Sequence, residues 1–277
     1  WKIFFHSVEN PAWPDGGVIW MDTPPKPPPA DQPLTPPFWG ARVWDPPMEE
    51  VNPLIERMSL LVGRWGYKKG NLPEAEYRQI LEGEAQGQYE RLLRENMARR
   101  LFVPKAAVAW MTCRPEGDTL RVFPNGGGAE VVLTFPRQQI GEKLSIPDFY
   151  APQGDILGCF TVTVGNPAAS AQMKALKEAG EYQEYFFWMG FAAEYADAVA
   201  EWAHRKMLEP LGGKTGARFG PGYPACPDMT LSRRISEWSE AWRIGVTVTD
   251  SDMLEPEMST SAVLAHRPRA RIFNRLV

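Results

Sequence analysis

The sequence predicts an α+β protein, an antiparallel twisted sheet with long helices packed around it, on three observations. Short apolar runs bounded by Gly, Pro and Asn mark strands at 104–113, 118–123, 129–135, 157–165 and 244–249. Longer segments with apolar residues three and four apart mark helices at 48–63, 73–100, 170–208 and 231–242. The first two strands meet across the short turn Pro115-Glu116-Gly117, which makes them an antiparallel pair.

Composition sets bounds. The chain has 277 residues, 44% of them hydrophobic, enough for one large domain or two small ones. Its formal charge is -4 with both signs interspersed, so neither nucleic acid nor a membrane surface is an expected partner. Cys113, Cys159 and Cys226 are scattered, which suits neither a disulfide framework nor a thiolate metal site and fits a reducing cytoplasm. No apolar run reaches the roughly 20 residues of a membrane helix, and no signal-peptide core opens the chain. A start at Trp1 rather than Met reads as a piece of a longer protein.

In chain order, residues 1–23 are aromatic and apolar, broken by Asn10-Pro11 and Pro14-Asp15-Gly16-Gly17, and 24–37 form a polyproline II linker. The expected division is therefore an N-terminal segment and linker at 1–35 and a folded domain at 36–277. Val51, Leu54, Ile55, Met58, Leu61 and Val62 form the apolar stripe of the first helix, which stops at Gly63. The long helix 73–100 has Pro73 in its first turn, Glu74 and Glu76 at its positive end and Arg99-Arg100 at its negative end. Asn125-Gly126-Gly127-Gly128 lacks the Lys-Ser/Thr and following helix of a phosphate loop and reads as a hairpin turn. Residues 170–208 read as two helices meeting near Gly180 or Gly190. Farther on, 231–242 puts Ile235, Trp238 and Trp242 on an apolar face, and 244–249 alternates as a half-buried strand.

Asp197, Glu201 and His204, at i, i+4 and i+7, share one helix face. Glu201-x-x-His204 has the spacing of carboxylate-bridged metal bundles, but such a site needs a second pair. His6 and His266 have no Glu three residues earlier, so a solvated or hydrogen-bonded face is the reading and no metal is expected.

The stretch with the densest binding chemistry is Arg218-Phe219-Gly220-Pro221-Gly222-Tyr223-Pro224-Ala225-Cys226-Pro227-Asp228. Arg218 offers a planar donor fork for a carboxylate or phosphate. Gly220 and Gly222 allow positive φ and close approach of a ligand, and the prolines limit the entropy lost on binding. A rigid surface turn has the same composition. The order of residues distinguishes them: Arg218-x-x-x-Gly222-Tyr223-Pro224 followed by Ala225-Cys226-Pro227-Asp228 resembles the S-adenosylmethionine-binding motif of the activation (reactivation) domain of cobalamin-dependent methionine synthase. Further strings are similar to that family in its own order: Pro36-Pro37-Phe38-Trp39-Gly40, Trp65-Gly66, Phe135-Pro136-Arg137-Gln138-Gln139, Pro147-Asp148-Phe149-Tyr150-Ala151-Pro152, residues 157–165, 196–204 and 254–274.

The resemblance implies a methionine synthase activation domain-like fold and a part in methyltransferase chemistry, with no complete active site in this chain alone. It implies S-adenosylmethionine held by Arg218, Gly220, Gly222, Tyr223, Pro224, Asp197 and, near the C-terminus, Phe273. Arg218 would take the carboxylate, Asp197 the ammonium or ribose, and Gly220 the adenine edge. Asp-x-His-x-x-Gly, the corrinoid lower-ligand motif, is absent from the sequence, so cobalamin is expected on a corrinoid-binding domain in cis or in trans; the resemblance alone implies a flavodoxin-like electron donor. Two positions depart from the family. Arg57, with Glu56 beside it, stands where a well-known branch has an Asp eight residues before the Trp matched by Trp65, and Ile272 stands where that branch has a ligand-contacting Tyr. Those departures favour an alternative, a non-enzymatic corrinoid-protein docking module that has lost S-adenosylmethionine binding; a third reading is another S-adenosylmethionine enzyme on the same scaffold.

Overall fold

In the computed structural model, residues 34–124, 129–212 and 216–273 are described. The predicted N-terminal segment, most of the linker, the glycine turn at 125–128 and the last four residues lie outside that set. The strands are β1 (Gly40–Trp44), β2 (Lys105–Glu116), β3 (Thr119–Phe123), β4 (Val131–Thr134), β5 (Asp155–Thr163), β6 (Ala217–Phe219), β7 (Thr247–Val248), β8 (Leu254–Glu255) and β9 (Ser259–Ala265). The α-helices are α1 (Met48–Val51), α2 (Glu74–Ile80), α3 (Gln86–Arg99), α4 (Pro167–Glu178), α5 (Tyr182–Leu208) and α6 (Leu231–Ser239). No helix among the described residues is long and apolar enough to cross a membrane.

One antiparallel sheet runs β4-β3-β2-β5-β9-β6, and β1 joins β2. Long β2 makes this branching possible: 106–110 pair with β1, 112–116 pair with β3, and 105–113 pair with β5 along the opposite edge. Strand periodicity then separates two cores. Ala106, Val108, Trp110, Phe160, Val162, Ala262 and Leu264 face α5, whereas Ala109, Met111, Cys113, Leu157, Cys159, Val263 and Ala265 share a cluster with Leu231 and Ile235 of α6. With both faces covered, every residue of β5 is buried, which explains the apolar run 156–160 and the absence of an alternating charged face.

The predicted helix at 48–63 is divided. Pro53 can donate no backbone hydrogen bond, so α1 passes into a 3₁₀ turn and Ile55 is extended, after which 59–64 form a π-helical turn. The long helix 73–100 is present as α2 and α3 joined through a π-helical stretch at 81–85. Gly180, not Gly190, separates α4 from α5: it takes φ +78°, and the amides of Gly180 and Glu181 bond back to Lys177 and Leu176. The predicted 231–242 helix stops at Ser239 because Glu240 turns left-handed, so Trp242 falls on the surface, 70% exposed, rather than on the apolar face. Only Thr247–Val248 of the predicted 244–249 strand pairs, with β8. β9, in the middle of the sheet, opens with Ser259-Thr260-Ser261, which hides it from a hydropathy reading.

Candidate functional site

The longest helix supplies a strip of charge. Glu194, Asp197 and Glu201 lie at i, i+3 and i+7 of α5, and His204 extends the row. Two arginines from distant parts of the chain face it. Arg218, on edge strand β6 where it pairs with Leu264 of β9, makes an ion pair with Glu201, which also accepts Arg205 Nε at 2.7 Å. Arg64 donates through Nε to Glu194 at 2.7 Å and through Nη2 to Asp197 at 2.5 Å.

A local device puts Arg64 there. Ser59 Oγ also donates to Glu194, at 2.9 Å. An α-helix would set positions 59 and 64 about 140° apart. The π-turn, closed by Trp65 N to Leu60 O at 2.9 Å, widens each turn and brings both side chains to one carboxylate. Burial pushes the Glu194 carboxyl up, against the pull of Arg64. Burial pushes Asp197 up as well, against Arg64 and Arg218.

Trp65 fixes the turn by donating its indole N–H to Phe187 O at 3.0 Å and lying against Gly190, where a Cβ would come within 2.6 Å of the indole nitrogen. Gly190 is thus a close-approach glycine inside α5. Gly190→Val is expected to cost about 1–3 kcal/mol by overpacking and to displace Arg64; an unchanged thermal melt would show that Trp65 can move aside freely.

The loop after β6 is tied to itself. Gly222 N donates to Cys226 O and Cys226 N to Tyr223 O, both at 2.8 Å. Gly222 sits at φ +89°, open to glycine and strained for other residues, and a Cβ there would meet Met229 Sδ at 2.8 Å. At Gly220 a Cβ would press on the Tyr223 ring at 3.2 Å and on Ser261 O at 3.4 Å, so its missing side chain makes room for Tyr223. Ala225 and Cys226 anchor the loop in the core, while Gly222, Tyr223 and Pro224 stand exposed at its tip. Burial pushes the Cys226 thiol up to about 12, so this cysteine is a structural foot. Burial, and then the charge of Asp197, raise the Tyr223 phenol, with Arg64 and Arg218 pulling it the other way. The tyrosine thus lies within the field of both arginines and the acid between them.

Of the predicted site residues, Arg218, Asp197, Gly220, Gly222, Tyr223 and Pro224 share this region. Phe273 is placed differently. It is buried, its ring 5.8 Å from that of Phe219 and 6.0 Å from that of Phe149. The cluster braces β6 one residue from Arg218, and neighbouring Ile272 is 64% exposed. Arg57 reaches Gln86, and Glu56 accepts the amide of Met58; neither has a hydrogen bond or ion pair with the strip among the described residues. Sequence reasoning missed Arg64, Ser59 and Glu194. The available signal was Glu194 three residues before Asp197 on the same face.

His204 lies at the end of the strip. Burial and then the charge of Arg218 push its pKa down to about 4, and its Nε2 has no hydrogen bond among the described residues. The folded pKa is below the ordinary 6.5, so the unfolded chain takes the proton first. Stability is therefore complete above pH 6.5 and declines as pH falls toward 4, by up to ~1.4 kcal/mol per pH unit. His204→Gln is expected to flatten that part of a stability–pH profile; an identical slope would assign the acid lability elsewhere. Among the described residues no group of three His, Cys, Asp or Glu is arranged to hold a metal.

With this geometry in hand, comparisons with known proteins agree on one family. The family model for vitamin B12 dependent methionine synthase, activation domain, matches residues 69–275. Methionine synthase from Mycobacterium tuberculosis (strain ATCC 25618 / H37Rv) is 30% identical over 275 residues, covering 86% of this chain and 23% of the relative. The enzyme from Mycobacterium leprae (strain TN) is 28% identical over 276 residues, with the same coverage of 86% and 23%. The chain thus spans about a quarter of these relatives' length. A crystal structure of the MetH reactivation domain bound to AdoHcy superimposes with a TM-score of 0.74 at 22% identity, covering 88% of this chain and 84% of that one, and shows the same fold. The chain belongs to the family of vitamin B12-dependent methionine synthase activation domains.

Proposed function

We propose that this domain binds S-adenosylmethionine between the Arg218–Pro224 loop and the acidic strip of α5, and caps a corrinoid domain during its reactivation. The observation that carries the reading is the juxtaposition of Arg218, Asp197 and exposed Tyr223 across α5, β6 and one loop. The AdoHcy bound to the named neighbour is of the same ligand class, and the family's name supports the corrinoid partner.

The residues fit the ligand's charges. Arg218 is 29% exposed and offers its remaining guanidinium donors to a carboxylate. Asp197 keeps 47% of its side chain exposed and can share its oxygens with an ammonium. Tyr223, 55% exposed, offers a ring face to an adenine or to the corrinoid. The chain's role is to hold and orient. The two cofactors would supply the reactivity: the sulfonium bound here would give its methyl to reduced cobalt of a cobalamin carried by another domain or protein and leave as S-adenosylhomocysteine. A flavodoxin-like protein supplies the electron, as the family resemblance implies, and the whole assembly serves methionine synthesis in the cytoplasm. The domain boundary belongs with this reading: residues 36–277 act as the folded module, and 1–35 as its connection.

One observation favours a second reading, a corrinoid-protein docking module without ligand: Arg218 is already paired with Glu201, and Asp197 with Arg64. A calorimetric titration with S-adenosylmethionine decides between them. Saturable binding supports the first reading, and none up to millimolar ligand overturns it in favour of the second.

A further inference from the structure

We propose a second ligand site, remote from the charged strip, for a small organic anion with an apolar or ring-bearing body. A cavity of about 720 Å³ opens between α4, the first turns of α5, the start of β2 and the β8–β9 connection. That volume is in the range of small-molecule sites. The α5 residues in its wall are Tyr185 and Met189, and Asp197 and Glu201 are not part of it.

Its floor is apolar. Met173, Met258 and Ile244 are each 4–5% exposed and present soft, adaptable surface to the cavity. One end is closed by close packing: a Cβ at Gly165 would come within 2.4 Å of Pro256 Cγ, so backbone and proline ring already touch there.

The rim selects charge. Lys105, Lys174, Lys177 and Arg243 line the cavity against two acids, Glu255 and Glu257, an excess of two positive charges in a chain whose formal charge is -4. Lys174 is held only loosely, 3.7 Å from Glu178, and Arg243 bonds Glu240 at 2.9 Å. Neither Lys105 nor Lys177 takes part in an ion pair among the described residues. Lys105 is half-buried at the start of β2, which fixes its stem at the cavity wall and leaves its ammonium for an anion to meet. Unmatched cations above an apolar floor suit a carboxylate or phosphate attached to a hydrophobic body.

The test uses the whole chain and 8-anilinonaphthalene-1-sulfonate, an anionic ring-bearing fluorophore. Saturable fluorescence enhancement is expected. It should weaken at least about tenfold in Lys105→Glu/Lys177→Glu, vanish in Ser170→Trp, which fills the cavity from exposed α4 without changing charge, and persist in Arg218→Ala. Displacement by AMP would assign a phosphate ligand, and displacement by benzoate a carboxylate. Non-saturable enhancement, equal affinity in both cavity variants, loss in Arg218→Ala, or displacement by neither competitor would each overturn the proposal. Thermal melts of the variants distinguish lost binding from lost fold.

Discussion

Arg218→Ala is expected to lower S-adenosylmethionine affinity by about 1.5–3 kcal/mol, roughly 10- to 150-fold, the scale of a hydrogen bond to a charged group. The fold should survive. Arg218 and Glu201 are each about 30% exposed, so their pair contributes no more than ~1 kcal/mol once solvent screening is allowed for, and Glu201 retains Arg205 at 2.7 Å. The reciprocal variant sharpens the argument. In this structure Glu201 occupies one nitrogen of the guanidinium fork and competes with a ligand carboxylate for the rest. Glu201→Gln removes that competitor's charge and is expected to tighten binding by up to about fivefold. Calorimetry on the three proteins reads both effects. Equal affinity in the native protein and Arg218→Ala would take Arg218 out of the site, and weaker binding in Glu201→Gln would mean that Glu201 positions the arginine rather than competing for it.

How much of this was legible in the sequence follows from how local each feature is. The loop was legible as a candidate because its chemistry is written in consecutive residues: cation, glycines, tyrosine and prolines. Asp197 was legible as part of a helix-face pattern. The two-faced sheet could be expected from alternation, yet β1, β6 and β9 were not. β1 and β6 are short edge strands with little periodicity, and β9 begins with three hydroxyl residues that resemble a loop. Arg64 was hidden for a different reason. Its place depends on a π-turn, and helical spacing counted at 3.6 residues per turn points positions 59 and 64 in different directions. The position of Phe273 depends on tertiary packing alone: nothing in residues 270–273 signals that its ring meets Phe149 and Phe219.

Asp155→Ala is expected to destabilise the domain by about 3–5 kcal/mol, because it removes one partner of a buried ion pair together with the acceptor of two backbone amides. Asp155 opens β5 with its side chain fully buried, and Arg267 just beyond β9 is 7% exposed at the side chain. The carboxylate accepts Ala151 N at 2.8 Å, Ile156 N at 2.9 Å and both Nε and Nη2 of Arg267 at 2.9 Å, while His266 Nε2 lies 3.2 Å from it. Burial pushes this carboxyl up, but His266 and the two amides outweigh it and hold the pKa below the usual value. A depressed folded pKa means stability that is present above the unfolded value of about 3.9 and is lost as pH falls through the folded one. The native protein should therefore lose a step of stability at the acid end that Asp155→Ala lacks. At about 2–4 °C per kcal/mol for a chain of this size, the melting temperature at neutral pH should drop by roughly 10 °C. The consequence reaches the ligand site through the chain. Arg267 begins the tail that carries Phe273 under Phe219, next to Arg218, so the folded fraction of Asp155→Ala is expected to bind S-adenosylmethionine more weakly than the native domain well below its melt. A melting temperature within 2 °C of native would show that the network around Arg267 holds without Asp155. A large drop with undiminished affinity would separate the network from the site and confine Asp155 to holding the ends of β5 and β9 together.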